Sequence, residues 1–341
     1  MVDQELSLFH DTALILSIIE LKTPMPGSEG LWLARDAAEW LAVVQQSSTG
    51  TNSINANSLG VIPPTPSLYD LFQGMVHNNI SRRYAKLSPL QLKLLLHPIQ
   101  SLLYNLRQVL GSFSDCFGSQ RGTNTVSKAS TMLEEVQSLL QNWYKLCLFH
   151  ANSEPICPVT RANLVLYHLI SLNIFTSFPE IERLARKESF GGSSRQLSLQ
   201  YKRCIYQPER AIIHCGQVIR LIYSMPREGR PHWWSAAVYR AALILWVFGL
   251  SRMDQNTQRI EEGQMFAINT VMLDDPAIML YSRSGEGIPV LANGDQYFKL
   301  HPDEILGYCI NLIGQGVALR MSNGIKRKLQ GLSRNWSIRS I

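Results

Sequence analysis

The stretch GRPHWWSAAVYRAALILW, residues 229–246, sets the strongest limit on how this chain folds. Pro231 is expected to open a helix there, at a position where a missing amide is tolerated. At about 100° per residue, Trp234, Val238, Ala241 and Leu245 fall on one stripe, and Trp233, Ala237, Ile244 and Phe248 fall on another. The helix is therefore apolar around most of its circumference, interrupted by Tyr239 and Arg240. Such a helix spans a bilayer, borders a ligand pocket, or stands at the centre of a bundle. A bilayer asks for ~20 consecutive apolar residues, whereas Arg240 and Arg252 leave only eleven uncharged residues between them. The preferred reading places Trp233, Trp234, Tyr239, Arg240 and Trp246 in a core, with the border of a small-effector pocket as the alternative.

Helical periodicity also dominates elsewhere. Helices are expected over 4–22, 31–46, 89–110 with a bend at Pro98, 127–150, 161–176, 179–187 and 208–223. In the second of these, Leu33, Ala37, Trp40, Leu41 and Val44 recur at helical spacing. The run QQSSTGTNSINANSLGVIPPTPS lacks the apolar surface that would offset its ordering entropy. It reads as a flexible connection, as do 111–125 and the GGSSRQ segment. The one strand signal is IPVLANGDQYFKL, a hairpin or ordered loop about Asn293 and Gly294. The expected fold class is all-α: an irregular multi-helix bundle with flexible loops and one small β-hairpin.

With 45% hydrophobic and 17% charged residues, a chain of 341 residues can bury a sizeable core. Its six cysteines include no pair separated by two to four residues, which excludes the usual zinc-finger spacing. The start MVDQELSLFH has no basic region before its apolar run, so no secretory signal is expected. The cysteines then read as small buried hydrophobes in a reducing compartment. The net charge of +6 gathers late: no acid follows Glu304, while Arg320, Lys326, Arg327, Lys328, Arg334 and Arg339 do. On a helix, Lys326, Arg327 and Lys328 spread over about 200° and cannot all aim at one groove. They suit a nuclear-import signal better than DNA recognition.

Catalytic signatures are missing: there is no GxSxG elbow, HExxH, P-loop or glycine-rich phosphate turn. Asp274 reads as a turn residue and Asp275 as a helix N-cap before Pro276. An all-α enzyme would need a second aspartate cluster to face this pair. His214 and Cys215 are adjacent in sequence and Cys204 lies earlier; they read as a packed cysteine beside a hydrogen-bonded histidine rather than a metal site. His168 is expected to find one carbonyl or hydroxyl partner. No residue is assigned a catalytic, metal-binding or DNA-binding role, and no cofactor is expected in this chain.

Several stretches together resemble one family. They are LFHDTALILSIIELKTPMPGSEGLWLARDAAEWL, LYHLISLNIFTSFPEIERLAR, SMPREGRPHWWSAAVYRAALILW, FAINTVMLDDPAI, GEGIPVL and SNGIKRKLQGLSRNW, which run in family order from residue 8 to 336. The chain resembles the regulatory region of fungal-specific transcription factors. The nearest branch is the one whose complete members carry tandem two-cysteine, two-histidine zinc fingers, sometimes with a binuclear zinc cluster. The resemblance implies an all-α regulatory domain, C-terminal to a DNA-binding module, in a nuclear regulator of RNA polymerase II transcription. Its partners would be other transcription regulators, a second copy or a small effector, with no membrane. Residues 1–46 resemble the end of the family's middle homology region; 47–66 are expected as a linker, and 67–341 as a helical regulatory domain with a basic C-terminal tail. Neither fingers nor zinc cluster is present, so zinc is implied only for the missing module. An interaction scaffold, or a dominant-negative partner without DNA binding, is the alternative.

Overall fold

The computed structural model describes residues 2–25, 29–48, 65–77, 79, 87–116, 123–151, 157–187, 194–255, 263–316 and 319–336, and structural statements below concern these. The chain is mostly helical with one small sheet, as the periodicity predicts. Four helices precede the core layers: α1 (Val2–His10), α2 (Glu29–Leu33), α3 (Ala37–Ser48) and α4 (Leu68–Val76). The long pair α5 (Pro89–Cys116) and α6 (Thr123–Ala151) follows, then α7 (Pro158–Phe175), α8 (Phe178–Ala185) and α9 (Ser194–Cys204). Next come α10 (Pro208–Ser224) and α11 (Trp234–Gln255), and after the sheet region α12 (Pro276–Ser284), α13 (Pro302–Gly314) and α14 (Arg320–Asn335).

Helix α11 carries the opening motif and occupies the centre. Helices α8, α9, α10, α13 and α14 pack around it, and every residue from Arg240 to Leu250 is buried. By length and composition it could cross a membrane, but 89% of that window is buried inside the chain's own fold. The helix begins at Trp234 rather than at Pro231. The Pro231 carbonyl accepts the Trp234 amide, and the Trp233 carbonyl accepts those of Ala236 and Ala237. Trp233 therefore stays in the entering turn, where its ring packs against Phe9 at 5.6 Å.

A second layer forms where α10 crosses α7, which is buried almost throughout. On α10, Gly216 touches the turn after strand β1 (Met265–Ala267): a Cβ there would lie 2.3 Å from the Ile268 carbonyl oxygen. Only glycine permits this approach. Next to it, Gln217 donates from Nε2 to the carbonyls of Ile268 and Val271. Strand β1 runs parallel to β2 (Ile288–Asn293), with α12 between them, and β2 pairs antiparallel with β3 (Gln296–Lys299). The β2–β3 hairpin turns at Gly294, whose φ of +61° suits glycine. Asp275 caps α12 as expected: its Oδ1 accepts the Ala277 amide at 2.9 Å, and Asp274 lies in the preceding turn.

Several expected boundaries move. The helix over 4–22 ends at His10, because Asp11 takes φ +51° and the Asp3 carboxylate draws the amides of Ile15 and Leu16 back toward α1. The helix over 31–46 divides into α2 and α3, since Asp36 accepts the Glu39 amide and starts a new helix. Helix α5 continues through Pro98 to Cys116, into residues expected to be flexible. Helices α4, α9 and α13 and strand β1 are additions to the expected elements. Of the stretches expected to be flexible, 123–125 begin α6 and 194–196 begin α9, while the greater part of 47–66, residues 117–122 of 111–125, and 191–193 of the GGSSRQ segment lie outside the described residues.

Candidate functional site

The polar residues worth testing for function fall in four places, and the first is Arg240. Its guanidinium is buried: Nη1 donates to Asn173 Oδ1 at 3.2 Å, and Nη2 lies 3.2 Å from the Asp11 carboxylate. The guanidinium also stands 4.1 Å from the Phe178 ring centroid, a cation–π contact away from water. Burial lowers its pKa, and Asp11 opposes that shift. Tyr239, half-buried one residue earlier, donates from Oη to Glu182 at 3.4 Å, and burial raises its phenol pKa. Helix α1 thus docks through charge as well as through Leu8, since Glu5 also meets Lys93 at 2.9 Å and His232 at 3.3 Å. We expect Asp11→Ala to destabilise the protein by about 2–4 kcal/mol by leaving a buried cation without its counter-charge. In urea titrations, adding Arg240→Met to that variant should recover at least half of the loss; no loss in Asp11→Ala alone would show that the ion pair contributes nothing.

The second place is a histidine pair. His168 on α7 and His214 on α10 bring their Nδ1 atoms to 2.8 Å. At that distance one nitrogen donates its proton and the other accepts. Burial pushes His168 well below the ordinary imidazole range, and burial pulls His214 down to about 3, so both rings are neutral. The Tyr167 and Phe175 rings close around them at 4.9 and 5.5 Å. The partner of His168 is therefore a histidine, where a carbonyl or hydroxyl was expected. A tetrahedral metal with imidazole bonds of roughly 2.0–2.1 Å would hold its nitrogens about 3.3 Å apart, wider than this pair, and the 2.8 Å separation is that of a hydrogen bond. Cys215 and Cys204 are buried thiols, the latter pushed up to about 12 by burial and the nearby Glu180. Among the described residues no three His, Cys, Asp or Glu side chains gather as a metal site.

The third place is the basic C-terminal segment, which is a docked helix. Ile325, Leu329 and Leu332 of α14 are buried, and so is Trp336 just beyond it. The Trp336 ring meets Trp246 edge-to-face at 5.2 Å, and its Nε1 donates to the Ala185 carbonyl at 3.2 Å. The three clustered basic residues diverge. Lys326 lies half-buried with Nζ beside Gly314 at the carboxyl end of α13, where the helix dipole favours a cation. Arg327 is exposed and donates back to the Asn323 carbonyl, and Lys328 stands over the Tyr239 ring at 5.7 Å.

The fourth place is a cleft of about 250 Å³ between the end of α10, the β2–β3 hairpin and α13. Tyr223, Asn293, Phe298, Glu304, Tyr308 and Asn311 are among its walls, and none of the motif residues on α11 reaches it. Asn269 builds it: Nδ2 donates to Tyr308 Oη at 2.9 Å and to the Ala292 carbonyl at 2.8 Å, while Oδ1 accepts the Ala292 amide. One side chain thus fixes a tyrosine on α13 to strand β2. Sequence reasoning missed this cleft because its walls come from three separated elements; only the hairpin signal pointed toward it.

No protein-family model and no solved structure matches the chain. Curated proteins do. It is 40% identical to Transcription factor 1 of Elsinoe fawcettii and 39% identical to Transcription factor PfmaH of Pestalotiopsis fici, in each case over 98% of this chain and 35% of the relative. A transcription factor of Zymoseptoria tritici is 38% identical over 98% of this chain and 36% of its own length. The chain spans about a third of the length of these relatives. Nearly all of it is therefore homologous to one part of longer fungal proteins that are each named a transcription factor.

Proposed function

We propose that this chain is a regulatory region of a fungal transcription regulator, acting in the nucleus on RNA polymerase II genes through protein partners or a small effector. The observation that carries this reading is similarity to proteins named transcription factors along 98% of the chain, so the matched unit is the whole fold and not a short motif. In this reading zinc fingers outside these residues supply site-specific DNA contact, consistent with the divergent directions of Lys326, Arg327 and Lys328. A chimera tests it directly: the matching segment of the Elsinoe fawcettii relative is replaced by this chain, and expression of that protein's target genes is measured against a deletion of the segment. Regulated expression close to that of the intact relative is expected. A chimera that accumulates normally but behaves like the deletion would overturn the proposal.

Nuclear entry is tested separately. Replacing Lys326, Arg327 and Lys328 together by alanine in a fluorescent fusion should lower the nuclear-to-cytoplasmic ratio, because these residues form the densest basic cluster in the acid-free segment. Since two of them rest against folded structure, thermal unfolding of the purified variant accompanies the imaging. An unchanged ratio in a folded variant would remove the import role.

A further inference from the structure

We propose that the cleft beside α13 binds a small organic cation, an amine or quaternary ammonium compound, held against aromatic faces and balanced by Glu304. The rings of Phe298 and Tyr308 stand 6.4 Å apart at 61°, making a corner, and Tyr223 adds a third aromatic wall. Aromatic faces attract cations through their quadrupole, and such corners suit methylated ammonium groups. The polar lining has one sign. Among the described residues Glu304 is its only acidic side chain, the amides of Asn293, Asn311 and Gln315 offer acceptor oxygens, and no Lys, Arg or His lines the cleft. In a chain of net charge +6, this leaves a local site where positive charge is favoured.

Gly307 leaves one wall of the cleft open. It lies within α13, where glycine is less favourable than alanine. Its φ is not positive, and a Cβ added there would meet no atom within 4 Å. Neither backbone conformation nor close packing accounts for the glycine, yet it lines the cleft. Tyr308 is held by Asn269 and so is fixed before any ligand arrives. Burial pushes its phenol up to about 12, which keeps the ring neutral around neutral pH. The inference stands on the geometry of the cleft alone and does not depend on the transcriptional reading.

The test compares choline with 3,3-dimethylbutan-1-ol, its uncharged isostere of nearly the same shape, each titrated into the full chain by calorimetry and saturation-transfer NMR. Choline should bind about tenfold more tightly than the alcohol, the range of a partly desolvated cation–π contact. Gly307→Leu, which places a side chain into the open space, should abolish binding while the melting temperature holds or rises. Glu304→Gln, which keeps shape and removes the charge, should weaken choline binding severalfold and leave the alcohol unaffected. Equal binding of the two compounds, no binding of choline, or full choline affinity in a folded Gly307→Leu variant would each overturn the proposal.

Discussion

Replacing Trp234 with alanine is expected to lower the stability of the protein by about 3–5 kcal/mol. The indole is 2% exposed at the first turn of α11, beneath the Arg230 guanidinium, which stands 4.8 Å from the ring centroid. On another side the chain passes so close that a Cβ on Gly316 would lie 2.3 Å from the indole. The ring therefore fills a space between Arg230 in the segment entering α11 and the turn just after α13, both parts of packed structure that cannot collapse freely into the void. Urea unfolding followed by circular dichroism should show a lower midpoint with an unchanged slope. Trp234→Phe should retain roughly half of the lost stability by keeping part of the apolar volume. A change below about 1 kcal/mol in Trp234→Ala would mean that the cavity closes and that the ring is not a fixed point of the core.

Acidification from pH 7 to 5 should remove about 3–4 kcal/mol of stability, most of it through His168 and His214. Both folded-state pKa values lie below the ordinary value of 6.5, so the unfolded chain binds more protons in this interval. Stability is then present in full above pH 6.5 and falls as pH drops, by up to about 1.4 kcal/mol per unit for each histidine. The groups facing the pair reinforce the direction: Arg220 repels a charge on His168, Arg210 repels one on His214, and neutral Tyr144 and Tyr167 offer no counter-charge. His97, lowered by burial against the opposing pull of Asp3, adds a smaller contribution of the same sign. The double variant His168→Leu and His214→Leu should unfold with a much shallower pH slope between 6.5 and 5. Identical slopes in the two proteins would show that the pair titrates as freely as in the unfolded chain.

What could be read in the sequence was whatever a few neighbouring residues decide. Pro208 opens α10 and Asp275 caps α12, because proline at a first turn and a short acidic side chain at an N-cap act over three or four residues. The Asn-Gly pair likewise marked the β2–β3 turn. Features set across the chain were not legible. The turn after His10 is held by contacts from outside it, the Asp3 carboxylate on the amides of Ile15 and Leu16, and Arg240, more than two hundred residues later, on Asp11. Strand β1 has three residues and exists through its pairing with β2. His168 and His214 carry no shared local signal, and their meeting is a result of how α7 crosses α10. Periodicity also over-reached: Ala37, Trp40 and Leu41 form the stripe it predicts, yet Trp40 is 40% and Leu41 51% exposed. A periodic pattern identifies a face and does not say what covers it. The candidate cleft was the least legible feature, since its walls become neighbours only after the sheet folds onto α13.

The position of α11 between early and late elements has a consequence for how the protein is made. Its Arg240 side is closed by Asp11, which the ribosome has already released, but the side facing Trp336 waits for α13 and α14. At translation rates of about 5–20 residues per second, the interval between Trp246 and Trp336 lasts roughly 5–20 s. Throughout it, a helix apolar enough to pass for a membrane span presents an uncovered flank to the cytosol. Synthesis therefore becomes a race between arrival of the last helix and capture by chaperones or targeting factors. A stop codon before α13 would leave that flank open for the lifetime of the product.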